Sequence, residues 1–142
     1  MKTAFYISLL VFSVSAFAAD DPDIAAVYTA VPSARTIDKS SFGYRVTTAA
    51  GKTVFVNKTP FGYRVSGDKS PVFINKTAFG YRMSNGGDTT FINKDASGYR
   101  VSGGNKTTFM DKTSSGGYRI TNGSNTTVIS KNASGYRVSS GR

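Results

Sequence analysis

Arginine follows a glycine-tyrosine pair six times along this chain, at Arg45, Arg64, Arg82, Arg100, Arg119 and Arg137, and a second cation recurs at Lys58, Lys76, Lys94, Lys112 and Lys131. Regularly spaced guanidinium and ammonium groups suit one kind of chemistry. Each makes a weak contact to a phosphate, sulfate or carboxylate, and an array sums these contacts into a salt-sensitive grip on a linear polyanion. These residues are therefore the candidate polyanion-binding set, with an anionic polysaccharide, a nucleic acid or a lipid surface as the partner. The competing reading is a solvated basic face whose charges keep strands from pairing between molecules.

The residues needed for most other chemistry are missing. The chain contains no histidine, cysteine or glutamate, so the common nucleophile, general-base and transition-metal arrangements cannot be assembled. Asp38, Asp68, Asp88, Asp95 and Asp111 do not share one register in which a second carboxylate would stand nearby. The expectation is a protein that is not an enzyme, with no catalytic, metal or cofactor-binding residues. Without cysteine there is also no disulfide framework, and stability must come from packing and backbone pairing.

The elements that must position the cations follow from the spacing itself. The six tyrosines Tyr44, Tyr63, Tyr81, Tyr99, Tyr118 and Tyr136 recur every 18 or 19 residues, and a short fixed period signals one small supersecondary unit copied in tandem. Each unit holds two runs rich in Val, Ile, Thr, Phe and Tyr, for example Phe91-Ile92-Asn93-Lys94 and Gly98-Tyr99-Arg100-Val101, separated by Gly, Asn, Asp, Lys and Ser clusters. No helical period runs through the array. Ile37 precedes Tyr44 by the same interval as Ile92 precedes Tyr99, so the array opens on the first type of strand and closes on the second. The spacing thus predicts an all-β fold of six strand-turn-strand units, about twelve short strands. They would form either an antiparallel hairpin meander, favoured by the short links, or a β-solenoid.

Period-two alternation assigns faces. Phe61, Tyr63 and Val65 share one face and Arg64 the other, so the tyrosine strand is amphipathic. The partner strand carries an apolar residue on each face. One apolar row is therefore left over: either Phe55, Phe73, Phe91 and Phe109 with Val128, or the row from Ile37 through Val56, Ile74, Ile92 and Met110 to Ile129. The tyrosines and these phenylalanines are the candidate core and assembly residues. Val54-Phe55-Val56 and the run from Val72 to Asn75 have high β propensity, no internal charge and a lysine after them, the pattern of an assembly-prone core with a gatekeeper. In layout the array resembles the tandem repeats of curlin-type functional amyloids, although its polar row of Asp38, Asn57, Asn75, Asn93, Asp111 and Ser130 is not their glutamine and asparagine ladder.

Ahead of the array, Lys2, an apolar run from Ala4 to Val14 and Ala16-Phe17-Ala18 read as a secretory signal peptide over residues 1–18, with cleavage before Ala19. No later stretch is long and apolar enough for a transmembrane helix. Residues 19–34 carry Asp20, Asp21 and Asp23 and read as an acidic, flexible segment, or as a β-capable connector that pairs with the sheet edge of a neighbouring molecule. Residues 35–142 form the repeat domain, with nine lysines and eight arginines against five aspartates, a net charge of +12.

Two functional expectations follow. The first is a secreted, non-enzymatic structural or adhesive component of the cell surface or extracellular matrix, self-associating through sheet edges or the surplus apolar row in an amyloid-like manner. The second is a monomeric cationic module that binds an anionic glycan, nucleic acid or lipid surface. Either would act in the extracellular space, at the cell surface or in a periplasm.

Overall fold

The computed structural model describes residues 23–67 and 70–141. The expected signal peptide and the first residues of the acidic segment lie outside them. A helix, α1 (Asp23–Ala30), precedes twelve strands: β1 (Ala34–Ser40), β2 (Gly43–Thr48), β3 (Thr53–Thr59), β4 (Gly62–Ser66), β5 (Val72–Thr77), β6 (Gly80–Asn85), β7 (Asp88–Lys94), β8 (Gly98–Gly103), β9 (Lys106–Lys112), β10 (Tyr118–Asn122), β11 (Asn125–Lys131) and β12 (Gly135–Gly141). Each strand pairs antiparallel with its sequence neighbours. β1 also pairs with β12, through Ile37 opposite Tyr136, which closes the meander into a barrel. The solenoid alternative is thereby excluded, and no strand edge is left open among the described strands.

At one end of the barrel the turns are held by side chains three residues back from the glycine of the next strand. Thr59 Oγ1 accepts from the amide of Gly62 at 3.1 Å, Asp95 Oδ1 from that of Gly98 at 2.8 Å, and Asn132 Oδ1 from that of Gly135 at 2.8 Å. The glycine of each Gly-Tyr-Arg triplet then passes against the backbone of the adjoining strand. A Cβ at Gly80 would lie 2.0 Å from the Ile92 carbonyl oxygen, and φ there is +151°, which L side chains rarely adopt. The triplet's glycine is thus a packing requirement, and the tyrosine after it enters the interior.

A barrel of eight strands is about the size that its own side chains can fill. Twelve strands enclose more, and α1 occupies part of the remainder, on the side of β5 and β6. Ile24, Ala25, Ala26 and Val27 are fully buried, with the helix closest to β5 and β6. This corrects the expectation of a flexible acidic leader or an edge-pairing connector for this part of residues 19–34. The physical reason is backbone accounting. Inside a closed barrel no strand is free to accept a partner, and buried N–H and C=O groups must be satisfied, which a helix does within itself. Asp23 opens the helix at the end where negative charge is favoured, the Val31 amide closes it by donating a hydrogen bond to the Val27 carbonyl at 3.0 Å, and Pro32 prevents its extension. Eight residues would scarcely hold a helix in water, so the lumen stabilises α1 as much as α1 fills the lumen.

Replacing Gly80 with alanine should lower stability by more than about 2 kcal/mol, because both the Cβ contact and the backbone angle oppose it. Gly87→Ala, where a Cβ meets nothing within 4 Å, should change it by less than about 0.5 kcal/mol. Urea unfolding followed by circular dichroism checks both.

Candidate functional site

Closure converts the two faces of the sheet into a lumen and an outer wall. All six repeat tyrosines face the lumen and are buried, as are Ile37, Val56, Ile74, Ile92, Met110 and Ile129. The tyrosines therefore pack with the isoleucine row: Tyr63 lies opposite Ile74, and Tyr81 opposite Ile92. Tyr44 and Tyr63 meet at a centroid distance of 5.9 Å with their rings tilted by 50°, within the separation at which aromatic pairs attract. Phe55, Phe73, Phe91 and Phe109 are the surplus row. They stand on the outer wall, about half exposed.

The arginines share that wall. Arg64 pairs across the sheet with Phe73 on one side and Asn57 on the other; Arg82 with Phe91 and Asn75; Arg100 with Phe109 and Asn93. The flanking arginines differ. Arg45 faces Asp38, its guanidinium 4.0 Å from the carboxylate, and Arg119 faces Asp111, while Arg137 faces Ser130 and Thr36. Cross-strand carboxylates thus offset charge at Arg45 and Arg119, whereas Arg64, Arg82 and Arg100 have only amides and aromatic rings for cross-strand neighbours. Equivalent arginines lie two strands apart, about 9.6 Å along the wall.

The lysines do not join them. Lys58, Lys76, Lys94, Lys112 and Lys131, with Lys39, sit opposite the lumenal tyrosines, on the tyrosine's side of the sheet, but at the strand ends, where they are exposed and form a collar around the barrel mouth. The arginines and lysines that the sequence groups as one candidate polyanion-binding set are separate features, one on the wall and one at the rim.

Where the collar surrounds the start of α1, Asp23 accepts hydrogen bonds from the Tyr63 and Tyr81 hydroxyls. Charge-assisted bonds of this kind tie the helix to β4 and β6. Nothing local in the sequence announces this contact, since Asp23 lies 40 residues from Tyr63 and outside the repeat. Elsewhere the lumen is filled less tightly. Between α1 and the wall from β8 to β12 is an open cavity of about 590 Å³, where Thr108 and Thr127 hold the lumenal register that Val54 and Val72 hold in β3 and β5.

No set of three or more Asp side chains that could hold a metal ion occurs among the described residues. No helix among them is long and apolar enough to cross a membrane. Strands of five to seven residues are shorter than the about 9–11 that span a bilayer, and the wall presents arginine at mid-strand, where lipid would penalise it by about 2–4 kcal/mol per residue. Comparison with protein-family models, with curated proteins and with solved structures finds no match.

Burial, the hydrogen bond to Asp23 and the charge of that carboxylate together push the Tyr81 phenol well above its ordinary value of 10.0. The folded protein therefore keeps a proton that the unfolded chain releases above that pH. Stability from this group is complete below pH 10.0 and is lost as pH rises beyond it. Unfolding free energy measured from about pH 9 to about pH 11.5 should decline, and Tyr81→Phe should reduce the steepness of that decline.

Proposed function

We propose that this protein is an exported, non-enzymatic adhesive module of the cell surface or extracellular matrix, which acts as a monomer and holds a linear polyanion against its outer wall. Arg64, Arg82 and Arg100 supply planar forks for sulfate or phosphate groups, and Phe73, Phe91 and Phe109 supply flat surfaces for the rings between those groups. The observation that carries this reading is the threefold repetition of an arginine paired directly with a phenylalanine and flanked by asparagine instead of an acid. Because the row wraps around a cylinder, a straight polymer engages two or three neighbouring pairs at once, and the uncompensated stretch has that length.

Amyloid-like assembly through sheet edges has less support than the repeats alone would give it. Its strands would have to leave a closed barrel and surrender the helix packed inside. The exported address rests on the signal-like residues 1–18, and the non-enzymatic character on the absence of histidine, cysteine and glutamate.

The test is retention on heparin and on single-stranded DNA across a salt gradient. Mature protein should elute late from at least one of them, with affinity falling steeply as salt rises. Replacing Arg64, Arg82 and Arg100 with glutamine should reduce the slope of log affinity against log salt by about one for each anionic group that is no longer neutralised. Lys58, Lys76 and Lys94 replaced by glutamine carry the same change in net charge at the rim and should weaken retention less. Equal weakening in the two variants would mean that net charge alone explains retention.

A further inference from the structure

The most exposed large apolar side chains lie neither on the wall nor in the lumen. Phe42, Phe61 and Phe79 are 76%, 75% and 77% exposed, at the turns joining β1 to β2, β3 to β4 and β5 to β6. These three hairpins are neighbours, and their turns project from one end of the barrel on one side. The other hairpins at that end carry Ala96-Ser97, Ser114-Ser115 and Ala133-Ser134 at their tips, and Asp95 stands among them. The rim is thus divided, with aromatic tips on one half and small polar tips on the other.

The phenylalanines are not needed to make the turns. The other hairpins reverse without them, using the Asp95, Thr113 and Asn132 side chains. Nor are the tips loose. The Phe42 carbonyl accepts the Lys58 amide, the Phe61 carbonyl that of Lys76, and the Phe79 carbonyl that of Lys94, each at 2.7 Å, so every tip is fastened to the next hairpin. The backbone is held while the ring is left in water.

Each aromatic tip follows a lysine of the collar by three residues: Lys39 and Phe42, Lys58 and Phe61, Lys76 and Phe79. Lys76, Phe79, Tyr81 and Lys94 line a single hollow at this rim, which brings the ring and two ammonium groups around one space. Apolar groups at the leading edge with cations just behind match the depth profile of an anionic bilayer surface. There the acyl boundary accepts rings and the phosphate layer accepts ammonium groups.

We propose that this half-rim docks the barrel on an anionic lipid surface, with Phe42, Phe61 and Phe79 entering the headgroup–acyl boundary and Lys39, Lys58, Lys76 and Lys94 meeting lipid phosphates. A fluid surface suits three separate tips about 9.6 Å apart better than a second protein does, because lipid flows around each ring whereas a protein would need three matching sockets. Neither contribution alone gives firm anchoring; the combination supplies the two signals that stable peripheral attachment requires. The site is separate from the arginine wall, so a barrel standing on its rim keeps that wall turned toward solvent.

The chain has no tryptophan, so a single one placed at a tip reports its surroundings without background from another. Phe79→Trp protein mixed with vesicles of phosphatidylglycerol and phosphatidylcholine should show blue-shifted emission and quenching by brominated acyl chains. Phe91→Trp, on the wall, should show neither. Replacing Phe42, Phe61 and Phe79 with serine should weaken co-sedimentation with the same vesicles at least about tenfold at high salt, while the variant keeps the parent's far-ultraviolet circular dichroism and cooperative urea unfolding, which show that the barrel is intact. Replacing Arg64, Arg82 and Arg100 with glutamine should leave the Phe79→Trp shift in place, so failure of polyanion binding and failure of lipid docking are separable. The proposal is overturned if emission from Phe79→Trp stays water-like while protein sediments, if the serine variant sediments as well as the parent, or if no protein sediments.

Discussion

A ring of twelve short strands encloses more volume than its own side chains can occupy, and the fold depends on how that excess is filled. The six repeat tyrosines, the row from Ile37 to Ile129 and further residues such as Val46, Val65 and Ile120 reach inward, and α1 takes much of the space they leave, beside the open cavity under β8 to β12. The arrangement is reciprocal. The helix is too short to persist alone, and the barrel without it would expose an apolar lumen to water. Asp23, accepting hydrogen bonds from Tyr63 and Tyr81, fixes the depth and rotation of the helix at one mouth.

Filling the lumen from within leaves the outer wall free of structural duty. The period of two sends tyrosine in and arginine out along one strand, and isoleucine in and phenylalanine out along the next. Pairing then places arginine beside phenylalanine on the wall and lysine beside tyrosine at the rim. Cations that look like one regular series in the chain are thus distributed to two surfaces with different neighbours. The guanidinium groups of Arg64, Arg82 and Arg100 sit among aromatic rings and amides, where they can meet a ring-bearing anion. The rim's ammonium groups stand behind the projecting Phe42, Phe61 and Phe79.

Much of this is legible in the chain. The strand count, the six units, the hairpin meander and the opposition of Tyr63 to Arg64 all follow from an 18- or 19-residue period with alternating polarity, because strand faces are a local property. Closure is not legible, since nothing local to β1 or β12 announces that Ile37 will meet Tyr136 across nearly the whole array. The helix escapes a sequence reading for a related reason. Ile24 to Val31 has β-capable residues and two flanking prolines, and only the absence of an available strand partner inside a barrel selects the helical form. The choice between the two apolar rows also depends on closure, which sends Phe73 outward and Ile74 inward. At the site, the arginine and phenylalanine rows can be read from sequence. That Asp38 and Asp111 lie opposite two of the arginines while asparagine lies opposite three others requires the register.

The central claim is a closed barrel with its own N-terminal helix inside, and amide hydrogen exchange of the mature protein, resolved by residue, tests both features together. Amides bridging β1 and β12 should exchange as slowly as those between β6 and β7, and the Val27 to Val31 amides should be protected to a similar degree. Rapid exchange along β1 and β12, as at the free edges of an open sheet, together with unprotected amides in residues 27–31, would contradict it.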